Sequence, residues 1–123
     1  DQAVEALMVV EALQPQMASF LKASEVRSVA ADKLWLSMAY DQDCIGIHFS
    51  WYNRPAEIAQ FLPVLEQHLA PFQARPHWGK MFVMAPEQVR SFYNRMSDFE
   101  ALLAEFDPQG KFRNPYLARY TRR

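Results

Sequence analysis

The chain has 123 residues, half of which are hydrophobic and 14% aromatic, and its formal net charge is −1. This length and composition fit one folded domain over residues 1–123, and the near-neutral charge excludes a broadly basic surface that binds nucleic acid. Because there is also no apolar run of about 18 residues, no basic signal-peptide head and only one cysteine, the sequence predicts a cytoplasmic protein that does not engage a membrane.

The first half of the chain predicts one helix followed by two strands. Apolar side chains recur at helical spacing over residues 3–13, with Asp1 as the N-cap and Pro15 as the stop signal. Residues 19–30 and 44–52 alternate in character and are rich in β-branched and aromatic types, which is typical of β-strands. The alternation also predicts which side chains share a face of each strand.

The second half predicts three helices. One begins at Pro55, which suits the first helical position, and Pro63 within it predicts a kink. Another spans residues 86–92, and the third has Ser97 as its N-cap, with Glu100 three residues on as the partner in a capping box. The residues after the third helix show no regular pattern. Together these elements predict an α+β fold, with a small antiparallel or mixed sheet and helices packed on one of its faces.

The two strands carry their polar residues on one face. In the first strand that face consists of Leu21, Ala23, Glu25, Arg27, Val29 and Ala31. In the second strand it consists of Gly46, His48, Ser50 and Tyr52, and the apolar face consists of Ile45, Ile47, Phe49 and Trp51. If both strands lie in one sheet with their polar sides together, these side chains form a single patch. That patch contains Glu25, Arg27, His48 and Ser50.

The segment "RPHWGKMF", residues 75–82, gathers basic groups around a tryptophan and a glycine. Pro76 restricts the backbone, and Gly79 permits a tight turn or a close backbone approach. Such a corner can direct His77 and Lys80 toward one point, which would complete the strand patch. The alternative is an ordinary tight turn with charges on the surface and Trp78 packed in the core.

The patch has the hydrogen-bonding inventory of a site for a polyhydroxylated ligand. Glu25 accepts hydrogen bonds, Arg27 and Lys80 donate them, and the hydroxyl of Ser50 does either. Sugars and sugar alcohols fit that inventory. The histidines show no short paired spacing and there is no second cysteine, so no metal site is predicted. A purely structural Glu25–Arg27 pair beside a hydrogen-bonded core histidine remains the alternative.

Four motifs indicate a family: "SEVRSVAADKLWLSMAY", "GIHFSW", "ARPHWGKMF" and "DPQGKFRNPYL". In this order and at these separations they resemble the C-terminal part of FAD-dependent alditol (xylitol/sorbitol) oxidases, relatives of the aldonolactone oxidases in the vanillyl-alcohol-oxidase superfamily. The resemblance covers residues 17–116. It implies that the chain is part of a substrate (cap) domain, and that FAD is held mainly by an N-terminal domain absent from this chain.

The resemblance also implies a reaction and roles for particular residues. The terminal hydroxyl of a polyol is oxidised, a hydride passes to the flavin, and O2 reoxidises the flavin to give H2O2. The polyol-binding residues of the family fall on Glu25, Arg27, Lys80 and Ser50, where relatives carry threonine at the last position. The strand pattern adds His48 to this set.

The corner and the tail complete the assignment. Lys80, with His77 nearby, is expected to stabilise the alkoxide that develops as the hydroxyl proton leaves. Asn114, in the motif "KFRNPY", is expected to approach the flavin.

Two other functions remain open. One is oxidation of a sugar lactone, as in the aldonolactone oxidases. The other is a free-standing α+β ligand-binding or dimerisation module that needs no flavin. For oxidation of a polyol or of a lactone, the expected partners are a polyol or sugar-type small molecule and an FAD-binding domain of the same protein. A surface left exposed without that domain is expected to be apolar and to favour homo-oligomers.

Overall fold

The computed structural model describes residues 2–122 and shows a small α+β fold, as predicted. Two antiparallel strands form its sheet, and five α-helices and a short 3-10 turn make up the remaining regular structure of the described residues. No helix in this part of the chain has the length and apolar character needed to cross a bilayer. In chain order the elements are α1 Gln2–Met17, β1 Leu21–Val29, β2 Cys44–Trp51, α2 Pro55–Leu69, the 3-10 turn Ala70–Phe72, α3 Pro86–Ser91, α4 Met96–Phe106 and α5 Pro115–Tyr120.

The sheet contains one irregularity, near the start of β1. The pairing register shifts between Leu21 and Ala23, so that Leu21 lies opposite Trp51 while Ala23 lies opposite Ser50. An extra residue in one strand of a pair reverses the faces on either side of it. The prediction that Leu21 shares the face of Glu25 is therefore wrong, and Leu21 packs on the apolar side of the sheet instead.

Helices α1 and α2 pack on the apolar face of the sheet, which confirms the predicted arrangement. Ile47, Phe49 and Trp51 of β2 contact the buried side chains of the helices and of Phe20. The ring centroids of Phe20 and Trp51 are 5.6 Å apart, and Phe49 stacks on Trp51 at 5.4 Å. We call this group the helix–sheet cluster; its buried members are Val10, Leu13, Met17, Phe20, Ile58, Phe61, Leu62 and Leu65.

Helix α1 is longer than predicted, because it continues past Pro15 to Met17. A proline inside a helix removes one backbone hydrogen bond. Here the last turn also buries Leu13 and Met17, whose exposed fractions are 3% and 2%, in the helix–sheet cluster. Burial of two large apolar side chains outweighs the missing bond. Pro63 likewise lies inside the uninterrupted helix α2, and the predicted cap at Asp1 lies outside the described residues.

The C-terminal half forms a second core, which we call the aromatic cluster. Its buried members are Met84, Val89, Tyr93, Met96 and Tyr120, and Leu36, Trp78, Phe82, Phe92 and Phe99 pack against them. The ring centroid of Trp78 lies 5.1 Å from that of Tyr93 and 5.7 Å from that of Tyr120. These spacings are typical of favourable aromatic pairs. Trp78 thus packs into a core, as the alternative interpretation of the corner expected.

The connection between β1 and β2 joins the sheet to the aromatic cluster. The indole N–H of Trp78 donates to the carbonyl of Leu36 over 2.9 Å. The Arg75 guanidinium donates to the carbonyl of Met38 over 3.2 Å, and Arg95 lies over the Trp35 ring. The loop that follows β1 therefore packs against the C-terminal half and is fixed by these contacts.

The start of α4 and the tail both differ from prediction. Helix α4 begins at Met96, so Ser97 lies inside its first turn and no capping box forms. The Glu100 carboxylate forms an ion pair with the Arg90 guanidinium of α3 instead. The tail predicted to be irregular contains α5, which the side chain of Asn114 caps.

Candidate functional site

The sheet brings four of the predicted site residues onto one face. We define the polar sheet face as Ala23, Glu25 and Arg27 of β1 with Gly46, His48 and Ser50 of β2. The register places Glu25 opposite His48 and Arg27 opposite Gly46. Residues directly opposite in an antiparallel pair have their Cβ atoms about 5 Å apart. A ligand on this face would therefore reach the carboxylate, the guanidinium and the imidazole together.

The charges on this face are exposed. The Arg27 guanidinium binds the Glu25 carboxylate, and the two side chains keep 75% and 50% of their surface accessible. His48 and Ser50 beside them are half-buried. An ion pair this exposed contributes little to folding, because water screens it. The two residues are paired, as the structural alternative also expects, and both charges remain accessible to a ligand.

The corner folds into a tight turn over residues 77–80, which we call the basic turn. The Lys80 amide donates to the His77 carbonyl over 3.0 Å, and the Gly79 amide donates to Nδ1 of the His77 ring over 3.0 Å. A Cβ atom at position 79 would lie 3.4 Å from Cε1 of that ring, which is close to an ordinary van der Waals contact. Because Nδ1 accepts, the neutral ring carries its proton on Nε2. His77 and Lys80 are both exposed.

Among residues 2–122, no hydrogen bond or ion pair joins the basic turn to the polar sheet face. The side chains of His77 and Lys80 and those of the strand residues thus make separate contacts. Their convergence on one ligand stays a prediction.

Asn114 has a structural role that sequence reasoning did not assign to it. Its side-chain oxygen accepts a hydrogen bond from the Leu117 amide over 2.8 Å and so caps α5. Asparagine is among the preferred N-cap residues for this reason. The oxygen is committed to the helix, so only the side-chain NH2 group is left to donate to a cofactor.

Two features of the C-terminal half were not predicted. The hydroxyl of Tyr116 donates to the carbonyl of Trp78 over 2.6 Å, across 38 residues of sequence. Arg90 and Glu100 form an ion pair in which each side chain is only 15% exposed. The Arg90 guanidinium lowers the pKa of Glu100 by hydrogen bonding, and Arg90 also donates to the carbonyl of Tyr120 over 2.7 Å. No local pattern marks any of these partners.

Comparison with known proteins identifies the family. Residues 2–120 match the sequence model of the D-arabinono-1,4-lactone oxidase family. Alditol oxidase from a Streptomyces species is 38% identical over 115 residues, which cover 94% of this chain and 28% of that protein. A long-chain alcohol oxidase from an uncultured marine euryarchaeote is 34% identical over 98 residues, covering 74% of this chain and 20% of the relative.

A third relative is named for dehydrogenation rather than oxidation. L-Gulono-1,4-lactone dehydrogenase from Mycobacterium tuberculosis is 32% identical over 95 residues, covering 77% of this chain and 22% of that protein. The chain thus spans between a fifth and three tenths of the length of these relatives, all of which are oxidoreductases by name. Because the match to the family model runs over nearly the whole chain, the protein belongs to the D-arabinono-1,4-lactone oxidase family of oxidoreductases.

Proposed function

We propose that this chain is the substrate-binding part of an FAD-linked oxidoreductase that oxidises the terminal hydroxyl of a polyol. The observation that carries the proposal is the strand register, which gathers a carboxylate, a guanidinium, an imidazole and a hydroxyl on one accessible face. The resemblance to the Streptomyces alditol oxidase supports a polyol as the ligand.

The chemistry of the polar sheet face suits a chain of vicinal hydroxyls. Each hydroxyl of a polyol both donates and accepts a hydrogen bond, so it pairs best with a surface that alternates acceptors and donors. Glu25 supplies two acceptor oxygens, Arg27 supplies a fork of donors, and Ser50 serves as either. In this proposal these groups hold the hydroxyls remote from the reacting carbon.

Lys80 has a different role in the proposal. Its ammonium lies next to the reacting hydroxyl and stabilises the negative charge that develops on the oxygen as the proton leaves. A preorganised donor of this kind is typically worth a factor of about 100 to 1000 in rate. The basic turn supports this assignment, because its backbone hydrogen bonds fix the position from which the Lys80 side chain extends.

In the proposal, the residues of this chain contribute little to holding the flavin. The sequence has no glycine-rich phosphate-binding fingerprint, and the oxygen of Asn114 is committed to α5. In the proposal, FAD is held mainly by a domain outside this chain, and Asn114 contributes at most its NH2 group. When bound, the flavin accepts the hydride.

The test is rapid-mixing measurement of flavin bleaching in the intact protein at increasing polyol concentration. Lys80→Ala is expected to lower the limiting rate about 100-fold or more, because the charge it stabilises exists only in the transition state. Glu25→Gln is expected mainly to raise KM, because it binds ground state and transition state alike. A Lys80→Ala protein that bleaches its flavin at the wild-type limiting rate would contradict the proposal. An intact protein that carries no flavin would favour the free-standing module.

A sugar lactone is the second candidate substrate, and the description of the matching family favours it. A lactone carries fewer free hydroxyls than the corresponding open-chain polyol, so it would use fewer of the donors and acceptors on the polar sheet face. Comparison of kcat/KM for xylitol, sorbitol, D-arabinono-1,4-lactone and L-gulono-1,4-lactone decides between the two classes. Peroxide production under air decides whether O2 is the electron acceptor, a question raised by the relative named as a dehydrogenase.

A further inference from the structure

The peptide unit between Trp78 and Gly79, at the centre of the basic turn, is held at both of its polar atoms. Its N–H group, on Gly79, donates to Nδ1 of His77 over 3.0 Å. Its carbonyl, on Trp78, accepts from the hydroxyl of Tyr116 over 2.6 Å. Because glycine has access to more backbone conformations than other residues do, a peptide beside it has more freedom to lose. The two hydrogen bonds restrict that freedom at this peptide.

The Trp78 side chain anchors the same peptide from another direction. Its indole N–H donates to the Leu36 carbonyl over 2.9 Å, and its ring packs between those of Tyr93 and Tyr120. The turn that carries Lys80 is thus tied to the β1–β2 connection on one side and to α5 on the other.

Tyr116 can hold the turn because its place in α5 and two ring contacts restrict its side chain, although the residue is 36% exposed. It is the second residue of α5, directly after the N-terminal Pro115 and the capping residue Asn114. Its ring contacts that of Tyr120 with centroids 5.1 Å apart and that of Phe82 at 6.5 Å. A hydroxyl on a ring packed in this way makes its hydrogen bond with little loss of rotational freedom.

We propose that Tyr116 is a positioning residue for Lys80. Through the Trp78 carbonyl it fixes the backbone from which the ammonium extends, and His77 acts on the same peptide through Nδ1 rather than on the substrate. This inference rests on the proposed function, because Lys80 must act on the substrate for its placement to matter. A misplacement of about 1 Å in a reacting group can cost about 100-fold in rate. Loss of one of two restraints is expected to cost less.

The test is a double-mutant cycle in the intact protein, with the limiting rate of flavin bleaching by a polyol as the readout. Tyr116→Phe keeps the ring and removes only the hydroxyl, and it is expected to lower the limiting rate about tenfold with little change in KM. In the Lys80→Ala background the same substitution is expected to change nothing, because residues that act as one unit are not additive. A residue with a merely structural role would slow both backgrounds equally.

Tyr93→Phe is the matched control. It also removes a hydroxyl beside Trp78, but that hydroxyl is buried without a hydrogen-bond partner. It is expected to leave the limiting rate unchanged. If Tyr116→Phe slows the Lys80→Ala protein as much as the wild type, or slows neither, the positioning role is overturned while the proposed function stands. If Lys80→Ala itself has no effect, the proposed function fails and the inference fails with it.

Discussion

Two arginine–glutamate pairs, one in each half of the molecule, have opposite surroundings. Arg27 and Glu25 lie on the polar sheet face with 75% and 50% of their side-chain surfaces exposed. Arg90 of α3 and Glu100 of α4 are each only 15% exposed. Arg90 also donates to the Tyr120 carbonyl, and Glu100 accepts from the Arg122 amide. The first pair makes no such further contacts with helices in the described chain.

The difference separates two uses of the same residue types. The Arg90–Glu100 pair ties α3, α4 and α5 together, and removing one partner would leave the other desolvated and uncompensated. The Glu25–Arg27 pair contributes little to the free energy of unfolding, because water solvates both charges almost as well as they solvate each other. The Arg90–Glu100 pair thus serves the fold, whereas the charges of the Glu25–Arg27 pair are exposed and accessible.

The most direct way to break this comparison is to neutralise each glutamate in turn. Glu100→Gln is expected to lower the free energy of unfolding of the chain by about 3 kcal/mol, because the Arg90 charge is then poorly compensated. Glu25→Gln is expected to change it by less than about 1 kcal/mol. Urea unfolding at pH 7, followed by tryptophan fluorescence, measures both. Equal losses in the two variants would show that exposure does not distinguish the pairs.

The pH dependence of the same variants provides a control. The hydrogen bond from Arg90 holds the pKa of Glu100 below its ordinary value of 4.5. A carboxyl group with a depressed pKa contributes stability that is present above its unfolded pKa and lost as the pH falls through its folded pKa. The difference in stability between wild type and Glu100→Gln should therefore shrink on acidification below pH 4.5. A difference that persists at low pH would contradict the ion-pair explanation.

Tyr93 sharpens the comparison at the other end of the pH scale. Burial raises the pKa of its hydroxyl to about 12 from an ordinary 10.0. The neutral form is therefore favoured in the folded state, and the stability this represents is present below pH 10 and lost as the pH rises through about 12. Tyr93→Phe should remove this alkaline loss.

Unfolding followed by circular dichroism between pH 9 and 12 checks this expectation. At neutral pH the Tyr93→Phe chain should be as stable as the wild type or slightly more so, because it removes a buried polar atom without a partner. Identical alkaline profiles for the two proteins would mean that the hydroxyl is solvated in solution.

Asn114 combines a structural role, as the cap of α5, with a predicted role at the cofactor. Asn114→Ala is expected to cost about 1 kcal/mol of stability through loss of the helix cap. Asn114→Asp keeps the accepting oxygen and should retain most of that stability, while it removes the NH2 donor. Thermal unfolding compares the caps, and the flavin absorption spectrum of the intact protein compares the cofactor environment. A spectrum unchanged in both variants would assign Asn114 to the fold alone.

The strand face could be predicted from the sequence because a strand has a period of two. Glu25, Arg27, His48 and Ser50 follow that period, and the register confirms that they share a face. The assignment of Leu21 failed, because a register shift depends on how the partner strand pairs and leaves no local pattern. The alternation of residues therefore predicts which face a side chain occupies better in the middle of a strand than at its end.

The basic turn and the aromatic cluster were harder to predict. Pro76 and Gly79 predicted a turn, and a turn is present. Its restraints come from Leu36 and Tyr116, which lie 42 and 38 residues from Trp78 in sequence. The capping box at Ser97 failed for a related reason, since Glu100 gains more from a distant arginine than from a local backbone amide.

The bond between the Trp78 indole and the Leu36 carbonyl has a consequence for the order of folding. It closes a span of 42 residues, whereas the Arg90–Glu100 ion pair closes one of only 10. Long-range contacts form against a larger loop-closure entropy and so tend to form late. Contacts absent from the folding transition state govern the rate of unfolding rather than that of folding. Loss of the contact between Trp78 and the β1–β2 connection is thus expected to raise the rate of unfolding while leaving the rate of folding nearly unchanged.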